Sequence, residues 1–143
     1  MSDSAKRVIE RIIDELVNKG QFAKFDELIS DRIVSHDPAE PGPIVGREAY
    51  RAAMQATRAA LANLQVCIDD FVVDGNKVAY RWTATARHVG ELHGIAASGK
   101  DVEFSGIDIA RVEEGRLVEE WMNWDTLGVL RQLGAVPTPA QRA

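Results

Sequence analysis

Around residue 62 the spacing of the apolar residues changes, and this change limits the possible folds more than any other feature. Before it, the period is helical. Val8, Ile9, Ile12, Ile13, Leu16 and Val17 make one stripe that Gly20 closes, with Ser4 as a fitting N-cap. Phe22, Phe25, Leu28 and Ile29 suit a second, short helix, and residues 47–61 suit a third with Tyr50, Met54, Thr57 and Leu61 on one side. Pro38, Pro41 and Pro43 mark the segment from Ile33 to Gly46 as a loop. From Leu64 the pattern is β-type, and Asp74-Gly75-Asn76 gives a hairpin turn signal. Residues 77–88 then alternate, with Val78, Tyr80, Trp82, Ala84 and Ala86 on one face and Arg81, Thr83 and Thr85 on the other. A glycine-containing connection leads to strands at Val102–Val112 and Leu117–Trp124. Three helices followed by four hairpin-linked strands predict a segregated α+β domain with one curved antiparallel sheet.

A chain of 143 residues fits one domain, expected over 1–136, with a loose tail over 137–143. The net charge of -5, with no run of basic residues, argues against nucleic-acid and anionic-membrane partners. No segment is long and apolar enough to span a bilayer, and no signal-peptide block opens the chain, so cytoplasm is the expected location. The single cysteine, Cys67, reads as a small core residue. His36, His88 and His93 match no zinc spacing, and there is no glycine-rich nucleotide fingerprint or nucleophile elbow. Neither a metal nor a cofactor is expected.

The stretch Gly115–Gly134 rises through a strand with Trp121 and Trp124, passes Asp125 and enters a short apolar helix. Asp125 has two readings. It is an acid/base group whose pKa an apolar pocket would raise, or a helix N-cap, and the two roles are compatible. A three-residue loop at Glu113-Glu114-Gly115 would set Ile107 opposite Trp121 and Ser105 opposite Asn123. Trp121, Asn123 and Asp125 would then share a face with Ser105, Ile107 and Ile109. A two-residue loop would place Phe104, Gly106 and Asp108 there instead.

The run G-R-L-V-E-E-W-x-x-x-D-T-L-G-V-L-R-Q-L-G resembles the C-terminal signature of the SnoaL-like polyketide cyclases, or ester cyclases. Ser35-His36-Asp37-Pro38, Gly90-Glu91-Leu92-His93-Gly94-Ile95, Ser98-Gly99-Lys100 and Phe104-Ser105-Gly106 fit the same pattern in the same order. The resemblance covers about residues 8 to 136. It implies the cone-shaped fold of nuclear transport factor two, and an intramolecular aldol ring closure with Asp125 as acid/base. It also puts His36 at the pocket mouth, whereas the residue alone equally suits a half-buried histidine bonded to its loop. An aldol closure needs a base and a group to stabilise the oxygen. Arg81 or His36 fits the second role, Arg81 being as readily a surface ion pair, and Asp108 is a further candidate. Trp121, Ile107, Asn123, Ser105, Met54 and Tyr50 are the expected pocket lining, for a small hydrophobic ligand with polycyclic aromatics among the candidates.

Two relatives of the fold narrow the chemistry. Limonene epoxide hydrolase resembles this chain at Arg81-Trp82-Thr83, but Thr83 stands where that site needs an Asp, which argues against epoxide hydrolysis. Ketosteroid isomerase uses a Tyr beside a protonated Asp, for which the sequence alone places no matching pair. A non-catalytic binding module is the alternative function. With Arg81 facing the pocket, Tyr80 and Trp82 would line the outer sheet face and suggest a homodimer.

Overall fold

The computed structural model describes residues 2–137 and 139, so most of the tail expected over 137–143 lies outside the described residues. Helix α1 (Ser2–Arg11) runs on through a π-helical segment, Ile12–Asn18. Ser4 lies inside the helix and not at its cap. A 3₁₀ turn at Phe22–Lys24 leads into α2 (Phe25–Leu28), and α3 spans Arg47–Ala60. The strands are β1 (Ile29–His36), β2 (Ile44–Val45), β3 (Leu61–Asp74), β4 (Lys77–His88), β5 (Asp101–Glu113) and β6 (Arg116–Trp124); α4 (Thr126–Gln132) follows. They form one six-stranded sheet in the order β2-β1-β6-β5-β4-β3.

The fold class expected from the sequence is therefore present, with two added strands, β1 and β2. Residues assigned above to the end of a helix and the start of a loop form β1, which lies parallel to β6. The rest of the sheet is antiparallel. Helices α1 to α3 pack on one face, where Ile9, Leu16, Phe25, Leu28, Ile29, Ile33, Val78 and Leu117 are fully buried. Asn18 ties the first helix to the sheet edge. Its side-chain amide donates to Val66 O at 2.9 Å, and its oxygen accepts from Val66 N at 2.7 Å, satisfying backbone groups that an edge strand otherwise leaves open.

The β5–β6 hairpin differs from the favoured three-residue loop. Glu113 pairs with Arg116, and the two loop residues both have positive φ, Glu114 at 51° and Gly115 at 75°, which is the geometry of a tight primed turn. A bulge at Val118 then shifts the register, so Trp121 faces Ile109 and Asn123 faces Ile107. Trp121 and Asn123 do share a face with Ile107 and Ile109, but it is the outer one. Ile107 is 58% exposed and Ile109 44%. On β4 the assignment of faces is likewise reversed: Tyr80 and Trp82 point inward and Arg81 outward. Cys67, read as core, is exposed.

Candidate active site

The inner face of the sheet carries two buried carboxyl groups. Asp108 lies in the middle of β5, directly opposite Tyr80 on β4 and Met122 on β6. It is 5% exposed. The Tyr80 hydroxyl donates to one carboxyl oxygen at 3.1 Å, and the Trp82 indole N–H donates to the other at 3.0 Å. Burial pushes the Asp108 carboxyl up to about 7, the Glu120 carboxylate adds to the rise, and the two donors oppose it. Burial also raises the Tyr80 and Tyr50 phenols, and the Asp108 and Glu120 carboxylates add to this for both.

Glycine at position 106 makes this arrangement possible. Gly106 is the direct partner of Trp82, and a Cβ there would run into the indole ring. Only with no side chain on β5 at that point can the ring lie across the strand and reach Asp108. An interior glycine flanked by strand residues was the sequence signal for a close approach here, and Asp108 between two isoleucines was the polar residue it served.

The second carboxyl belongs to Glu120, 3% exposed and paired with Ser35 of the parallel strand β1. Ser35 Oγ donates to Glu120 Oε2 at 2.7 Å, and Tyr50 of α3 donates to the same oxygen at 2.9 Å. Burial raises this carboxyl, against the effect of its two hydroxyl donors. The tyrosine–carboxyl pairing that the sequence alone could not place thus occurs twice, as Tyr80–Asp108 and Tyr50–Glu120.

From Trp82 an aromatic series leads outward to the end of the sheet where β1, β4 and β6 finish. Trp82 meets Phe104 edge-on at 5.8 Å, Phe104 meets Trp124 at 5.6 Å, and Trp124 meets His93 of the 89–100 connection at 5.4 Å. The Trp124 indole donates to both oxygens of Asp37, at 3.2 Å each. At this end a cleft of about 310 Å³ is bounded by His36, Asp37, Pro38, Gly42, Pro43, Trp121, Met122 and Asn123. Met122 is the cross-strand partner of Asp108 on the inner face, whereas Trp121 and Asn123 line the cleft from the outer face.

Three of the residues singled out in the sequence, His36, Trp121 and Asn123, come together at this cleft. His36 stacks on Trp121 with ring centroids 5.5 Å apart and sits 2.9 Å from Glu119, whose carboxylate it and Arg111 hold below the usual range. Tyr50 is buried beneath Glu120, and Met54 packs half-buried against the core. The other selected residues lie elsewhere. Ser105 and Ile107 are exposed on the outer face. Arg81 is there too, 3.7 Å from Asp69, so it occupies the ion-pair alternative and has the sheet between it and the buried carboxyls. Asp125 is exposed at the strand end, where its carboxylate accepts from Gly128 N at 2.9 Å as the N-cap of α4. The desolvation that motivated a base at Asp125 is found at Asp108 instead. Among the described residues, no group of three or more His, Cys, Asp or Glu is arranged to hold a metal ion.

Comparison with known proteins agrees with this architecture. The sequence profile of the SnoaL-like polyketide cyclases matches residues 7–133. The aklanonic acid methyl ester cyclase DnrD of Streptomyces peucetius is 30% identical over 118 residues, covering 79% of this chain and 77% of the relative. Among solved structures, TsrD of Streptomyces laurentii superposes with a TM-score of 0.83 at 32% identity, covering 95% of this chain and 98% of that one. Wild-type IdmH of Streptomyces antibioticus superposes with a TM-score of 0.79 at 29% identity, covering 91% and 98%.

Proposed function

Since the chain belongs to the SnoaL-like polyketide cyclase family, we propose that it is an acid/base enzyme closing a ring by intramolecular aldol addition, with Asp108 as the group that moves the proton. The observation that supports this reading is the placement of Asp108 on the inner face, desolvated and oriented by Tyr80 and Trp82, with Phe104 and Trp124 packed beyond Trp82 toward the end of the sheet. A carboxyl titrating near neutrality populates both of its forms at working pH, and the reaction needs both. The carboxylate takes a proton from carbon next to a carbonyl. The resulting enolate carbon bonds to the second carbonyl carbon, and the alkoxide formed takes the proton back from Asp108. One carboxyl closes the cycle, with no net change in atoms or electrons. The aromatic series would bind a small hydrophobic, flat ligand and keep water from the enolate.

Asp125, in this reading, shapes the site through the start of α4 and does not touch the reacting atoms. The setting we infer is a cytoplasmic homodimer. No helix among the described residues is long and apolar enough to cross a membrane. The outer sheet face presents Val72, Ile107, Ile109 and Trp121, a patch suited to a second copy of the chain. This replaces the sequence-based reason for a dimer, since Tyr80 and Trp82 point inward.

The test compares Asp108→Asn and Asp125→Asn on an aromatic polyketide ester that carries a β-dicarbonyl arm, following ring closure and exchange of the α-hydrogen in D₂O. Asp108→Asn should lower turnover by roughly 10²–10⁴-fold, the usual contribution of a general acid/base. Asp125→Asn should stay within a few-fold of wild type. The reverse pattern would return the base to Asp125, and wild-type binding without exchange or closure would favour a ligand-binding module.

A further inference from the structure

Asp108 and Glu120 lie on neighbouring strands and face the same interior. Asp108 is opposite Met122 and Glu120 is opposite Ala110, so the two acids are diagonal neighbours on the inner face. Such positions are about 7–8 Å apart at Cα, within reach of one another for long side chains. Their donors differ. Glu120 Oε2 receives hydroxyl hydrogen bonds from both Ser35 and Tyr50, at 2.7 and 2.9 Å, whereas Asp108 receives one bond on each oxygen, at 3.1 and 3.0 Å. Shorter bonds from two hydroxyls favour the ionised form of Glu120 over that of Asp108. A second anion in the same dry interior would then be strongly disfavoured.

We propose that Glu120 is a positioning residue for Asp108: the two carboxyls form one coupled pair in which Glu120 holds the charge and Asp108 the proton near neutral pH. This rests on Asp108 being the proton-transfer group. The facing titratable groups are Tyr50 from α3, Tyr80 from β4, Asp37 from the loop after β1, and His36 at the end of β1. The Asp37 carboxylate pushes both acids toward the protonated form, and His36 partly counters it at Glu120. Glu120 needs no contact with substrate for this role. It keeps the acid form of Asp108 available at a pH where an isolated aspartate would be fully ionised.

Carbon-detected NMR titration of the side-chain carboxyls in the full wild-type chain tests the coupling directly. Both carboxyl carbons should follow the same two steps, and each should report the ionisation of the other. Glu120→Gln, which keeps the shape and the amide oxygen for Ser35 and Tyr50, should lower the Asp108 midpoint by about one pH unit, a tenfold change in proton affinity. It should also move the acid limb of the pH–rate profile by the same amount. Two independent single-step curves in wild type, or an unmoved Asp108 midpoint in folded Glu120→Gln, would overturn the pair. The wild-type curves decide the question if that variant fails to fold. Full turnover in Asp108→Asn would instead defeat the proposed function while leaving the coupling as measured, so the two failures are distinct.

Discussion

Asp108 and Asp125 are the same residue type at the middle and at the end of adjoining segments, and their surroundings differ in every respect that governs proton chemistry. Asp108 is buried in the centre of β5 with an indole and a phenol as its donors. Asp125 ends β6 in the open and spends its carboxylate on the Gly128 amide. Gly128 makes that possible, since a Cβ there would collide with the Asp125 carboxyl. The signature run ending in W-x-x-x-D therefore marks where the chain turns from sheet to helix, while the desolvated acid comes from the strand before it. In a small α+β domain, position within the strand and choice of face decide which carboxyl can act as a base near neutral pH.

The largest effect that would break or sharpen this contrast is on stability against pH. The folded Asp108 pKa, about 7, lies above its ordinary value of 3.8. Between these values the native state holds a proton that the unfolded chain has released, so stability falls as pH rises. Its contribution is fully present below about pH 4, is lost progressively up to about pH 7, and is constant above that. A shift of this size corresponds to about 4 kcal/mol at most. Urea unfolding at pH 5, 7 and 8 should show wild type losing stability across the series, with Glu120 adding in the same direction. Asp108→Asn should remove most of the slope and be the more stable protein at pH 8. Asp125→Asn should leave the slope unchanged. A wild-type protein equally stable at pH 5 and pH 8 would contradict the desolvated carboxyl.

The two faces of the sheet provide a second, smaller contrast. Ile107 and Asp108 are adjacent, yet the isoleucine is exposed and the aspartate buried. If a second copy covers the outer face, Ile107→Glu would place its charge in the interface twice, once from each subunit. Sedimentation at micromolar concentration should show wild type as a dimer, with the variant's dissociation constant raised at least tenfold, about 1.4 kcal/mol. A wild-type monomer would remove the dimer proposal and leave the interior chemistry untouched.

This inverted polarity also explains what the sequence did and did not reveal. The strand over 77–88 and the turn before it could be read directly, because alternation and Asp-Gly are local signals. Which face pointed inward was not local. Ile107 and Ile109 looked like pocket lining and Arg81 like an oxygen-stabilising group, because an apolar residue outside and an acid inside reverse the usual expectation. The strand Ile29–His36 was missed for a different reason. Its buried positions do not alternate, and its partner β6 is parallel and distant in sequence, so neither a hairpin nor a period announces it. Ser35, which supplies a donor to Glu120, was accordingly read as part of a loop. The legible clues to the interior were Gly106 and the two-residue loop alternative, which put Phe104, Gly106 and Asp108 on the pocket face and is the turn that forms.

The smallest effect concerns Asp125 alone. As an N-cap it satisfies a backbone N–H that the first turn of α4 would otherwise leave open, and replacing such a cap by alanine costs about 1 kcal/mol. Helix α4 contributes Val129, 2% exposed, to the core, so fraying its first turn should register in global unfolding. Asp125→Ala should thus lower the unfolding free energy by about 1 kcal/mol, while Asp125→Asn and Asp125→Ser, whose side-chain oxygens can still accept from Gly128 N, should recover most of it. The three variants should rank by capping ability and not by charge. If Asp125 were the base, all three would lose turnover alike whatever their stability, since Ala, Asn and Ser cannot take a proton from carbon. If Asp125→Ser kept its stability but lost turnover as completely as Asp108→Asn, the strand end would hold a catalytic role that its exposed, capped geometry does not suggest.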